Sequence, residues 1–184
     1  MNNKTKQITC EDIEGKKYEV STDQLTFRPA VYGVIIKDNK ILLSKQWDGY
    51  DFPGGGIDLG EGTEVALIRE VKEETGLDVK IGQVLHCNNS FFKLPFKGDF
   101  VHSIHMYYEC HIIGGKISTE FFDEHEKKYA SEAEWVDLNK VTEIKIYSSL
   151  DAKKVLEKLD DLKRIDHKSE ELKRFDRDIL MRKK

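Results

Sequence analysis

Three glutamates, Glu70, Glu73 and Glu74, fall within five residues of one another behind a glycine-rich run, Gly54-Gly55-Gly56. At 100° per residue the three occupy one arc of a helix, within roughly 100° of each other. Like charges at i,i+3 and i,i+4 cost about 0.2–0.5 kcal/mol each on an exposed helix, and more where water is excluded. The cluster therefore asks for a compensating charge. Arg69 sits about 100° from Glu70, which lets it flank the cluster without neutralising three carboxylates. A hard divalent cation answers better, because Mg²⁺ takes oxygen ligands and keeps waters or substrate phosphates in its other positions. Ala66 lies on the same arc and leaves room for a ligand. On an arbitrary helix three glutamates are a solvated acidic face; the glycine run and the fixed spacing change those odds.

The elements that must hold these residues can be read around them. A helix is expected from Gly62-Thr63, with Glu64 in its first turn and Gly76 just beyond its end, and with Leu67, Ile68, Val71 and Thr75 as its buried face. Ahead of it, Gln7 to Cys10 and Lys17 to Ser21 read as a small hairpin around Glu14-Gly15. Phe27 to Lys37 and Ile41 to Gln46 read as a second hairpin across Asp38-Asn39-Lys40. Trp47-Asp48-Gly49-Tyr50 carries two aromatics toward the glycine run, either as edge packing or to stack on a base. Behind the helix, Val79 to Cys87 is a strand and Asn88 to Asp99 an aromatic-rich loop or hairpin tip. Phe100 to Ile113 is the longest strand, with His102 and His105 on opposite faces and so not a metal pair. A short polar strand, Lys116 to Glu120, is expected after Gly114-Gly115, and Glu134 to Leu138 is a strand that carries Trp135 into the core.

The stretch from Gly55 to Leu77 resembles the Nudix box at every defined position: Gly55, Glu61, Arg69, Glu70, Val71, Glu73, Glu74, Gly76 and Leu77. The box spans 23 of 184 residues, and the strand pattern from about Phe27 to Val141 is similar to the same family. The resemblance implies an α+β fold in which a mixed β-sheet is sandwiched between α-helices, an α/β/α sandwich. It implies hydrolysis of a nucleoside diphosphate linked to another group, with Mg²⁺ or Mn²⁺. By similarity Glu70, Glu73, Glu74 and the Gly54 carbonyl would be metal ligands, and Glu61 would serve a second metal or support the site by hydrogen bonds. Arg69 would orient a neighbouring glutamate. Gly55 and Gly56 would let the backbone approach phosphates, with Trp47 and Tyr50 as candidate substrate contacts. Glu70 is the first candidate for the general base, with Glu124, Glu126 and Glu132 as unranked alternatives in a later loop.

Substrate markers of the family lie outside the box. The proline of ADP-ribose hydrolases would fall where this chain has Phe92 and Lys93, with Pro95 a near miss. The tyrosine of dinucleoside polyphosphate hydrolases and the patterns of coenzyme A and NADH hydrolases are absent. A nucleoside triphosphate, a nucleotide sugar or another small diphosphate is left. Two competing readings differ in class: a nucleotide sensor that binds without hydrolysis, or a non-hydrolytic enzyme on the same fold such as a prenyl diphosphate isomerase. Relatives of both kinds lose box residues, and this chain keeps them all.

Length and composition agree with one domain and its core: 184 residues, 39% hydrophobic. The net charge of −4 carries no general nucleic-acid footprint, and residues 1–150 hold −7 of it against +3 on the remainder. An acidic body meets polyphosphates best through a metal. Cys10, Cys87 and Cys110 are far apart and suggest neither zinc nor disulfides. No apolar run approaches a membrane span and no signal-peptide core leads the chain, so a cytoplasmic setting is expected. The domain is expected over residues 1–147, with 148–184 as its helical extension. Ser148-x-x-Asp151 resembles a capping box, and Ala152, Val155, Leu156, Leu159 and Leu162 recur at helical spacing. Residues 166–184 could extend a second helix, contact a partner chain in a homodimer, or fray.

Overall fold

The computed structural model describes residues 5–95, 98–124 and 126–147, with Glu157 beyond them. Its strands are β1 (Gln7–Glu11), β2 (Lys17–Ser21), β3 (Leu25–Phe27), β4 (Ala30–Lys37), β5 (Lys40–Gln46), β6 (Gly49–Asp51), β7 (Gly54–Gly56), β8 (Leu77–Lys93), β9 (Phe100–Gly115) and β10 (Ala130–Asp137). A helix, α1 (Thr63–Thr75), lies between β7 and β8. The strands form one mixed sheet in the order β10-β5-β4-β9-β8-β1-β2, with β3 added to β9, β6 to β5 and β7 to β4. The central pair β4·β9 is parallel, and the hairpins flanking it are antiparallel. Among the described residues no helix is long and apolar enough to cross a membrane.

The sheet is covered on two faces, and β4 is buried from Ala30 to Ile35, as a strand with both faces packed should be. Tyr32, Val34, Ile41, Leu43, Phe52 and Tyr107 pack on one face with Val141, and Ile144 and Ile146 rest against them. Val31, Ile35 and Leu42 face the other way, onto Leu67 and Val71 of α1. Gly33 sits under this contact: a methyl group there would come 3.1 Å from Val71 Cγ2. The β4–β5 connection is the two residues Asp38 and Asn39, both with positive φ, as a tight hairpin turn requires.

Helix α1 begins and ends where its punctuation places it. Gly76 takes the left-handed conformation (φ 74°) and its N–H donates to the Lys72 carbonyl at 2.9 Å. Its buried face is rotated from the expected one. Ala66, Leu67, Val71, Glu74 and Thr75 are buried, whereas Ile68 is 45% exposed. The side that carries the carboxylates is the one pressed on the glycine strand β7, so Ala66 is packing rather than clearance for a ligand.

Other expectations are corrected downstream. Strand β8 does not stop at Cys87: it runs on to Lys93, because Asn88 through Lys93 pair in register with His105 through Phe100. Strand β9 then starts at Phe100. Residues 116–120 form no strand; β9 runs through Gly115 and the chain then loops. The amphipathic helix expected after Ser148 lies outside the described residues, as do Phe96 and the tail 166–184.

Candidate active site

Arg69 is the hub of the box. Its Nε and Nη2 donate to the two oxygens of Glu61 at 2.9 and 2.8 Å, a bidentate fork. Its Nη1 donates to Glu70 Oε1 at 2.9 Å and to Glu73 Oε2 at 3.1 Å. Nη2 also reaches the Gly56 carbonyl at 3.2 Å. The guanidinium thus contacts three carboxylates, more than a flanking position on the helix allowed for. The reason is the loop before α1, which brings Glu61 back over the helix start. Glu74 lies beyond its reach.

Glu74 is held from another direction. Its Oε2 accepts from Ser44 Oγ at 2.7 Å and from the Gly54 N–H at 3.1 Å. Burial, with Glu70 and Asp51 nearby, pushes its carboxyl well above the usual range against these two bonds. Glu70 is pushed up to about 7, mainly by burial and further by Glu73, although Arg69 pulls the other way. Arg69's fork holds Glu61 down at about 2. The cluster thus mixes one firmly ionised carboxylate with two that favour the proton.

The glycine strand lets these groups lie on bare backbone. A methyl group on Gly55 would come 2.6 Å from Glu70 Oε2, and one on Gly56 would come 2.6 Å from Arg28 Nη2. Gly54 has φ 151°, and a side chain there would drive into the Val31 carbonyl of the paired strand β4. Arg28 therefore faces the glycine strand as a second cation, and its charge bears on Glu70 and on His105.

Asp51 closes β6 beside this cluster. It accepts the Phe52 N–H at 2.8 Å, and burial pushes it up to about 7. It lines a cleft of about 790 Å³ together with Tyr32, Trp47, Phe92, His105 and Tyr147. His105 is 4% exposed and lies 3.4 Å from Ser90 Oγ. Burial, reinforced by Arg28, drops it to about 4, so the ring is neutral at pH 7. His102, on the opposite face of β9, stacks on Phe91 with centroids 4.5 Å apart.

The two candidate aromatics part company. Trp47 lines the cleft with one face stacked on Tyr129 at 4.7 Å and Tyr147 edge-on at 5.2 Å. Its φ of 44° is unusual for a bulky residue, and the surrounding contacts hold it there. Tyr50 does not line the cleft: its hydroxyl donates to Glu134 Oε2 at 2.7 Å, and its backbone pairs with Lys45. It is edge packing.

The later loop now separates its three glutamates. Glu126 has its carboxyl raised by burial and feels Glu73; its Oε2 accepts the Asp123 N–H at 2.7 Å, and its own N–H donates to Asp123 Oδ1 at 2.7 Å. Glu124 is exposed and paired with Lys127, and Glu132 is exposed.

The donors are all oxygen, which suits a hard cation such as Mg²⁺ or Mn²⁺ in kind. Among the described residues no three metal-capable side chains converge on one point. Arg69 stands between Glu61, Glu70 and Glu73, and Glu74 is turned to Ser44 and Gly54. Glu70 and Glu73 nevertheless meet at one atom, Arg69 Nη1, so their oxygens are neighbours.

Sequence reasoning missed Arg28, Ser44 and Asp51. Each is an ordinary residue in its own segment and acquires a role only where strands adjoin. Asp51, one residue before the Phe52-Pro53-Gly54 lead-in, was the most findable.

A helix whose acids lean on a glycine strand of a mixed sheet defines a class of fold, and comparison with known proteins supplies its name. The NUDIX domain model matches residues 26–159, and the chain belongs to that family. It is 35% identical over 136 residues to the ADP-ribose pyrophosphatase of Methanocaldococcus jannaschii, covering 70% of this chain and 74% of that protein. Over 76 residues it is 43% identical to the putative 8-oxo-dGTP diphosphatase YtkD of Bacillus subtilis, covering 36% of this chain and 48% of that one. Among solved structures, the MutT protein of Methanosarcina mazei Go1 shares the fold at TM-score 0.53 and 19% identity, over 76% of this chain and 98% of that chain.

Proposed function

We propose that this chain is a metal-dependent pyrophosphohydrolase that cleaves the diphosphate of a nucleoside diphosphate joined to a further group. The observation that carries the reading is the convergence of Glu61, Glu70 and Glu73 on Arg69 against the side-chain-free strand Gly54–Gly56. A site for a diphosphate needs a backbone that phosphates can approach, fixed positive charge and a base of suitable pKa. Glycines, Arg28 and Glu70 answer to these in turn.

The carboxylates of Glu70, Glu73 and Glu74 and the Gly54 carbonyl would hold a divalent cation, which when bound would offset phosphate charge and lower the pKa of its water. Glu70 is the general base, its carboxylate set over the bare backbone of Gly55 where a phosphate can approach. Arg69 fixes the Glu70 rotamer while Glu61 fixes Arg69. Arg28, against Gly56, meets a phosphate oxygen. The cleft beyond Tyr32 and Asp51 receives the organic end of the substrate.

The names of the relatives span ADP-ribose, 8-oxo-dGTP and RNA as substrates. ADP-ribose therefore belongs among the candidates even though Phe92 and Lys93 stand where the family's proline marker would be. The test is release of phosphate or pyrophosphate from nucleoside triphosphates, nucleotide sugars, ADP-ribose and dinucleoside polyphosphates, with Mg²⁺, with Mn²⁺ and with chelator. The expected result is hydrolysis of one class, lost on chelation. Binding without release across the panel would make the chain a nucleotide sensor instead.

A further inference from the structure

Part of the cleft wall comes from outside the family domain. Residues 11–15, the turn joining β1 to β2, line the cleft, whereas the family match begins at residue 26. This tip has a fixed shape. Asp12 Oδ1 accepts the N–H groups of Glu14 and Lys16 at 3.0 and 2.9 Å, and its Oδ2 accepts the Tyr18 hydroxyl at 2.9 Å. The hairpin is also fastened to the sheet. Glu11 pairs with Phe92, Cys10 and Val20 are buried, and Lys93 Nζ lies 4.5 Å from the Tyr18 ring centre and 5.7 Å from that of Phe100.

The chemistry of the cleft selects its occupant. Its walls are aromatic at Trp47, Phe92 and Tyr147. Its two lysines are committed, Lys93 to the Tyr18 and Phe100 rings and Lys145 to Asp48 at 2.9 and 3.0 Å. The other charged side chains on the wall are acids. Phosphates belong at Arg28 and the glycine strand, and an uncharged ring belongs here, with stacking from the aromatics and hydrogen bonds to carboxylates. Ile13, 38% exposed on the tip, presents the apolar surface of the hairpin side.

We propose that the β1–β2 tip is a specificity element of this chain, closing the cleft over the uncharged ring at the end of the substrate remote from the diphosphate, with Ile13 as its contact. The proposal rests on the cleft being the organic end of a diphosphate site. Because the tip is remote from the box, it sets affinity and leaves turnover alone.

The test is Ile13→Phe, which adds bulk at an exposed position without touching the turn's hydrogen bonds. ADP-ribose binding is read in chelator, without turnover, by the fluorescence of Trp47, with Trp47→Phe as the signal control. The expected result is affinity for ADP-ribose weakened roughly fivefold or more, as for overpacking worth about 1 kcal/mol or more. Inhibition by inorganic pyrophosphate, which carries no ring, should stay within about twofold. With hydrolysis measured, KM rises and kcat holds. Unchanged ADP-ribose affinity, an equal loss for pyrophosphate, or no ADP-ribose response in the wild type would overturn the proposal. A wild type that binds ADP-ribose but hydrolyses nothing defeats only the hydrolase reading, and the Ile13→Phe shift still decides this one.

Discussion

Arg69 and burial pull the carboxylates of the box in opposite directions. Arg69 holds Glu61 ionised at about 2 while burial lifts Glu70 to about 7, so two carboxylates bound to one guanidinium differ by several units. Glu73→Gln removes a charge at nearly constant shape. It should lower kcat at least about tenfold with the unfolding temperature unchanged, and wild-type turnover in that variant would remove Glu73 from the chemistry. The raised Glu70 also fixes a pH dependence. With Glu70 as base, kcat/KM should fall on the acid side as Glu70 gains its proton, and Glu70→Gln should abolish that limb. Stability runs the other way. Glu70 and Asp51 have folded pKa values raised from 4.5 and 3.8, so their contribution is complete below those values and lost as pH rises through about 7. Glu61, lowered from 4.5 to about 2, contributes above 4.5 and loses that contribution as pH falls toward 2. Thermal unfolding in chelator should therefore peak in mildly acidic solution and decline toward pH 8.

At the scale of elements, β7 and α1 act as one unit, and two adjacent glycines separate folding from chemistry. At Gly54 a side chain meets the backbone of β4, which cannot yield without breaking the pairing of Tyr32 with Gly54. Gly54→Ala should cost on the order of 3 kcal/mol or more and be seen as a collapse of the unfolding temperature. At Gly55 the obstacle is the far end of the Glu70 side chain, which can swing away. Gly55→Ala should fold with little change in melting and lose activity by about tenfold or more, because it displaces Glu70 rather than the backbone. Equal effects from the two substitutions would mean that the glycine strand is only a structural fit.

For the molecule as a whole, the box and the cleft fall on different parts of the sheet. The box lies where α1 crosses β7, the cleft lies toward the β1–β2 tip and the residues around Tyr147, and Tyr32 and Asp51 form the wall between them. We propose that residues 1–147 hold this machinery and that 148–184 extend the same domain. Removal of residues 167–184 should then leave kcat and KM within about twofold in a chain that remains monomeric by size-exclusion chromatography. A large loss would place part of the tail, or a second copy recruited by it, in the site.

What the sequence by itself determined is what repeats over short distances. The glutamates at i, i+3 and i+4, the bounds of α1, the N-terminal hairpin and the turn Asp38-Asn39 follow from backbone periods and from residues that favour particular φ values. The family box added the identity of the hub, Arg69. Helical spacing could say which residues share an arc, yet not how far the covered arc extends, so Ile68 was placed inside and Ala66 at the ligand side. Strand propensity ended β8 at Cys87, since Asn88 to Ser90 are poor strand formers taken alone; six pairs with β9 outweigh that preference. Only the tertiary structure decided that Ser44 and the Gly54 N–H would hold Glu74, that Arg28 would face the glycine strand, and that Trp47 rather than Tyr50 would line the cleft. These contacts join segments up to about thirty residues or more apart, and their energies depend on burial and on which strands adjoin, which no local period encodes.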